Sequence, residues 1–122
     1  MPLAYLLDEN LRRQLWRAIQ RHNASATGRI NAIRVGDPAN LPLGTLDPEI
    51  LLWAEAAARI VITLDRTTMP GHLAAHLATG HHSLGVFILR AGSTPANVVS
   101  MLAYFAHNSD PLEWQDRIEY IP

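Results

Sequence analysis

The sequence predicts an α/β fold: a three-layer α/β/α domain around a central, mainly parallel sheet of four or five strands. Three observations carry this. Short apolar runs alternate along the chain with longer stretches whose apolar residues recur at helical spacing. Turn residues separate the two kinds of segment. A length of 122 residues with 48% hydrophobic and 17% charged side chains suits one domain with its own core. Strand–helix alternation demands right-handed crossovers, so neighbouring strands run parallel and helices cover both faces. The reading is one domain over residues 1–122.

The elements follow in order. Leu3 to Leu7 is a buried first strand ending at Asp8. Glu9 to Arg21 reads as a helix, with Leu11, Leu15, Ala18 and Ile19 on one face and Arg12, Arg13, Arg17 and Gln20 on the other. Asn23 to Gly28 is a turn of small and polar residues. Ile30 to Val35 is the second strand, stopped by Gly36-Asp37-Pro38. A Pro- and Gly-rich loop, Pro38 to Leu46, leads to Asp47-Pro48-Glu49, where Asp at the cap and Pro at the first helical position start a helix through Ile50, Leu51, Trp53, Ala54 and Ala57. Arg59 to Leu64 is the third strand, closing on Asp65. A shorter helix follows Met69-Pro70-Gly71 to about Thr79, and Gly85 to Leu89 is the fourth strand. Thr94-Pro95 opens the last helix, through Val98, Val99, Leu102 and Phe105 to His107 and Asn108. Ile118, Tyr120 and Ile121 mark a short fifth strand.

Composition narrows the function. There is no cysteine, hence no disulfide framework and no thiolate zinc site. No run of eighteen apolar residues spans a membrane, and Met1-Pro2-Leu3-Ala4-Tyr5 lacks the features of a signal peptide, so a cytoplasmic location is expected. A net charge of −1 argues against binding nucleic acid by bulk charge. All ten basic residues are Arg, which excludes any mechanism needing a Lys but leaves a local arginine patch able to grip phosphate.

Chemistry is expected where the strands end. In open parallel sheets, ligands bind outside the carboxyl ends of the strands. Leu7-Asp8, Val35-Gly36-Asp37 and Leu64-Asp65 each finish a strand on an acid, and Asp47 begins a helix on the same side. Asp8 and Asp65, with Asp37 and Asp47, are therefore expected to converge. Gathered carboxylates repel unless a cation neutralises them, and Mg²⁺ or Mn²⁺ takes oxygen ligands of this kind. Each acid also has a plainer role: Asp37 as a turn residue, Asp8 and Asp47 as helix caps. His72 and His76 are four apart, a spacing used by zinc-binding helices, but no third ligand stands at a recognised distance in the sequence. His81-His82 falls in a turn. No Gly-rich phosphate loop is present.

Leu6-Leu7-Asp8-Glu9-Asn10, Asp47-Pro48-Glu49-Ile50-Leu51 and Val61-Ile62-Thr63-Leu64-Asp65-Arg66 together resemble the PIN-like domain family, in particular its short bacterial branch often encoded beside antitoxin-like partners. The resemblance runs over nearly the whole chain. It implies a metal-dependent ribonuclease, the toxin-type half of a toxin–antitoxin pair, with Asp8, Asp47 and Asp65 as catalytic ligands of Mg²⁺ or Mn²⁺. Asp37 would join them or assist through water, as would Glu49, while Asn10 and Arg66 would face the RNA, Arg66 on its phosphate. RNA, an antitoxin-like protein and a second copy of the chain are the implied partners. Members of the family commonly carry another Asp two residues after the third-strand acid, where this chain has Thr67. That substitution opens the alternative of a catalytically impaired PIN-like module acting through a protein or RNA partner. Receiver domains of two-component signalling also place acids after the first and third strands, but their essential Lys has no counterpart here.

Overall fold

The computed structural model describes residues 3–25 and 28–121. Five strands form one sheet: β1 (Ala4–Leu7), β2 (Asn31–Arg34), β3 (Ile60–Thr63), β4 (Val86–Leu89) and β5 (Ile118–Ile121). All are parallel, in the order β2-β1-β3-β4-β5. Four helices connect them: α1 (Gln14–Ser25), α2 (Asp47–Ala57), α3 (Met69–Ala78) and α4 (Pro95–Asn108).

Alternation within each strand divides the core in two. Tyr5 and Leu7 of β1, Ile60 and Ile62 of β3, and Phe87 and Leu89 of β4 face α1 and α4, meeting Leu15, Ile19, Val98 and Leu102. Leu6, Val61, Val86 and Ile88 face α2 and α3, meeting Ile50, Leu51, Ala54, Met69 and Leu73. The α1–α4 and α2–α3 pairs pack side by side, one pair on each face. This is the three-layer α/β/α arrangement. Strands β3 and β4 are buried at every position, as parallel strands covered on both faces must be. Tyr5 sends its hydroxyl across the core to the Leu102 carbonyl, 2.8 Å away, and burial raises its pKa further above the ordinary value of 10.0.

Two local details differ from the sequence reading. The first helix is broken: Glu9–Leu11 forms one 3₁₀ turn before α1 begins at Gln14. Asp8 imposes it by accepting from the Glu9 N–H with its side chain and from the Leu11 N–H with its carbonyl. The second helix takes its cap from Leu46, whose extended backbone lets its carbonyl accept from the Glu49 and Ile50 N–H groups. Asp47 is thus the first helical residue rather than the cap, which leaves its carboxylate unused by the helix start. The turn expected over Asn23 to Gly28 lies partly outside the described residues. Among those described, no helix is long and apolar enough to cross a membrane.

The loop over residues 36–46 sets where Asp47 stands. Gly36, with φ +102°, turns the chain where a Cβ would meet the Leu43 side chain at 2.7 Å, and it donates to the Leu41 carbonyl at 2.7 Å. Leu41 anchors the loop in the core, and the Gly44 N–H donates to Glu9 Oε1 at 2.8 Å.

Candidate functional site

The chain leaves β1 for β2 through α1 on one face of the sheet. It returns past β1 to β3 through α2 on the other. The carboxyl ends of β1 and β3 therefore form the topological switch point where open α/β sheets place their ligand crevice. Asp8 directly follows β1, and Asp65 follows β3 by two residues.

Thr63 joins the two acids. Its hydroxyl donates to Asp8 Oδ2 at 2.8 Å and accepts from the Asp65 N–H at 3.1 Å. The other Asp8 oxygen accepts from the Glu9 N–H at 2.8 Å. Asp8 is buried, with 8% exposure, so its two hydrogen bonds meet the satisfaction that such burial requires. Thr63 has no site role in the sequence reading; a hydroxyl inside an otherwise aliphatic, fully buried strand is the sequence signal that marks it.

Asp65 accepts from the backbone N–H groups of Thr67 and Thr68 at 3.0 and 2.9 Å and from the Thr68 hydroxyl. The Thr68 hydroxyl, then its N–H, holds the Asp65 pKa below the ordinary 3.8. Asp47 shifts the opposite way. Burial raises it first, the charges of Asp8 and Asp65 add to the rise, and His72, 3.9 Å from Asp47 Oδ2, opposes it. The three acids are thus close enough for their charges to act on one another. Among the described residues, however, they do not bring three donor atoms within 4.8 Å of each other.

Asp37 stands apart from this group. Arg34 Nε donates to one of its oxygens at 2.9 Å and Arg12 to the other at 3.3 Å. The Arg34 hydrogen bond leads the causes that lower its pKa. A depressed carboxylate contributes stability above its ordinary value of 3.8 and loses it as pH falls through the folded value. For a pair this exposed, Asp37→Asn is expected to cost under about 1 kcal/mol at neutral pH. Melting curves at neutral pH and at about pH 3 check it: the gap between wild type and variant narrows in acid, and a gap equal at both pH values would contradict the assignment.

Beside Asp8 opens a groove of about 970 Å³, lined by Arg12, Arg13, Arg17, Arg34 and Arg90 together with Trp16. Its near end reaches Glu9, Asn10 and Leu64, while Asp8, Asp47 and Asp65 lie outside its lining. The Arg34 guanidinium sits 4.4 Å over the Trp16 ring. Asn10 faces this groove; Arg66 is exposed but does not line it, and Glu49 is exposed on the first turn of α2.

His72 and His76 share α3 but not a ligand set. His72 looks toward Asp47, whereas His76 meets Glu55 of α2 and His81 of the following loop. Glu55, His76 and His81 bring three potential metal-donor atoms within 4.8 Å of one another. Compared with known proteins, the chain matches no family model, no curated protein and no solved structure.

Proposed function

We propose that the carboxyl edge of the sheet is a divalent-metal site for phosphodiester hydrolysis, and that the protein is a PIN-like endoribonuclease of the toxin type. The observation that carries this reading is the gathering of acids at the switch point: the Thr63 hydroxyl ties Asp8 to the Asp65 backbone, and the Asp47 pKa is raised first by burial and then by the charges of Asp8 and Asp65. Acids held this way are short of a cation, and their all-oxygen donor set suits Mg²⁺ or Mn²⁺. Asp8, Asp47 and Asp65 would hold the ion. When bound, it supplies an activated water and neutralises charge on the phosphate.

The chain's own groups account for the rest. Asp65, kept ionised by three donors from Thr67 and Thr68, remains an anionic ligand over a wide pH range. The Thr63 hydroxyl fixes the Asp8 carboxylate in one orientation. Arg13, Arg17 and Arg90 line the neighbouring groove, and among the described residues none is paired with a carboxylate, so they offer cationic contacts to a phosphate backbone. An antitoxin-like partner would act by covering this edge. Incubating the purified protein with single-stranded RNA in Mn²⁺ tests the proposal: cleavage that stops on chelation is expected, and no cleavage of any RNA in Mn²⁺ or Mg²⁺ would overturn it.

One observation favours a second reading, a non-catalytic module that binds RNA or protein. Asp65 is engaged by its own turn, and Thr67 supplies no carboxylate there. Thr67 is exposed and contributes its backbone N–H, which an Asp would retain. For a metal site short of one ligand, Thr67→Asp is expected to strengthen Mn²⁺ binding by about tenfold, the scale on which metal-site neighbours act. Unchanged affinity in calorimetry would favour the binding module.

A further inference from the structure

We infer that Glu55, His76 and His81 form a binding site for a divalent transition-metal ion of the zinc class, independent of the acidic edge and of the nuclease reading. Helices α2 and α3 lie side by side, which sets Glu55, near the end of α2, against His76, near the end of α3. Gly80, with φ +89°, then turns the chain so that the His81 ring stacks on His76 with centroids 4.9 Å apart.

Two ring nitrogens converge on one carboxylate oxygen: Glu55 Oε1 lies 3.2 Å from His76 Nε2 and 3.0 Å from His81 Nδ1. The second oxygen, Oε2, accepts from the His82 N–H at 2.9 Å, which fixes the direction of the carboxylate. Such support from behind is how ligating carboxylates are held. Burial is graded across the site, with the His76 side chain 3% exposed and that of His81 45% exposed, so an ion has a route in from solvent.

The three donor atoms face one another closely enough to share one ion: His76 Nε2 lies 3.2 Å from Glu55 Oε1, which His81 Nδ1 also approaches at 3.0 Å, and His76 Nε2 is 2.9 Å from the His82 carbonyl. A cation bound between Glu55 Oε1, His76 Nε2 and His81 Nδ1 would replace the hydrogens on both ring nitrogens, and the His82 carbonyl, losing its contact with His76 Nε2, would turn to the ion or to water. Two imidazoles and one carboxylate are a donor set that zinc accepts with a fourth position open, whereas Mg²⁺ prefers oxygen ligands throughout. The bound ion would clamp α2, α3 and the loop before β4.

Calorimetric titration of the full chain with Zn²⁺, in excess Mg²⁺ to fill all-oxygen sites, tests this. One Zn²⁺ per chain is expected, weakened at least about tenfold by His81→Ala and by Glu55→Gln and retained in Asp8→Asn. Zn²⁺ should also raise the melting temperature of the wild type and not that of His81→Ala. His81 is exposed and is not part of the core, so its variant decides the matter even if Glu55→Gln fails to fold. No Zn²⁺ binding, binding indifferent to His81→Ala, or binding lost in Asp8→Asn would overturn the inference.

Discussion

Phe87→Ala is expected to lower the free energy of unfolding by about 3–5 kcal/mol, the range for removing a buried aromatic ring. Phe87 is fully buried on β4, an interior strand between β3 and β5. Its ring meets those of Trp114 at 5.1 Å, Phe105 at 5.7 Å and Tyr5 at 6.0 Å, with the first two contacts edge-on. It therefore ties β1, β4, α4 and the turn before β5 into one cluster. Small domains have only about 5–15 kcal/mol in total, so the variant should stand near the limit of folding. Urea denaturation checks it: the midpoint falls sharply with the slope unchanged. A loss under about 1 kcal/mol would contradict the central place given to this ring.

Under the proposed nuclease function, Asp8→Asn should lower RNA cleavage at least about a hundredfold, the upper end of what even indirect metal-site substitutions cost. The substitution removes charge while keeping shape. The Asn carbonyl can still accept from the Glu9 N–H, and its amide can donate to the Thr63 hydroxyl, which has acceptor capacity beside the Asp65 N–H it already binds. The buried Thr63 hydroxyl hydrogen loses its acceptor, so stability should fall by about 1–3 kcal/mol while turnover collapses by far more. Equal losses of stability and activity would instead mark Asp8 as a cap and strand tie alone.

The inner strands β3 and β4 were legible because burial on both faces leaves no choice of residue: Ile60–Thr63 and Val86–Leu89 must be apolar almost throughout. Helix starts at Pro48 and Pro95 were legible for the same local reason, a fixed φ and a missing donor. The sheet order was not, since crossovers alone do not say which side of β1 each later strand takes. Nor could the fates of the acids be told apart. Asp37 and Asp8 both follow strands, but Arg34 and Arg12 hold Asp37 in an exposed ion pair while Thr63 draws Asp8 into the core edge. Those partners come from tertiary packing. The same holds for His76, whose neighbours Glu55 and His81 arrive from α2 and from the loop after α3, at separations no sequence spacing announces. A parallel sheet of this order serves many functions, and only the residues at its edge can choose among them.

The most direct test of the central claim, that Asp8, Asp47 and Asp65 make a divalent-metal site, is calorimetric titration of Mn²⁺ into the wild type and Asp8→Asn, each in the His81→Ala background to exclude the histidine cluster. One Mn²⁺ per chain in the parent, weakened at least about tenfold by Asp8→Asn, is the predicted result. Mn²⁺ binding that is absent, or identical with and without the Asp8 charge, would contradict it.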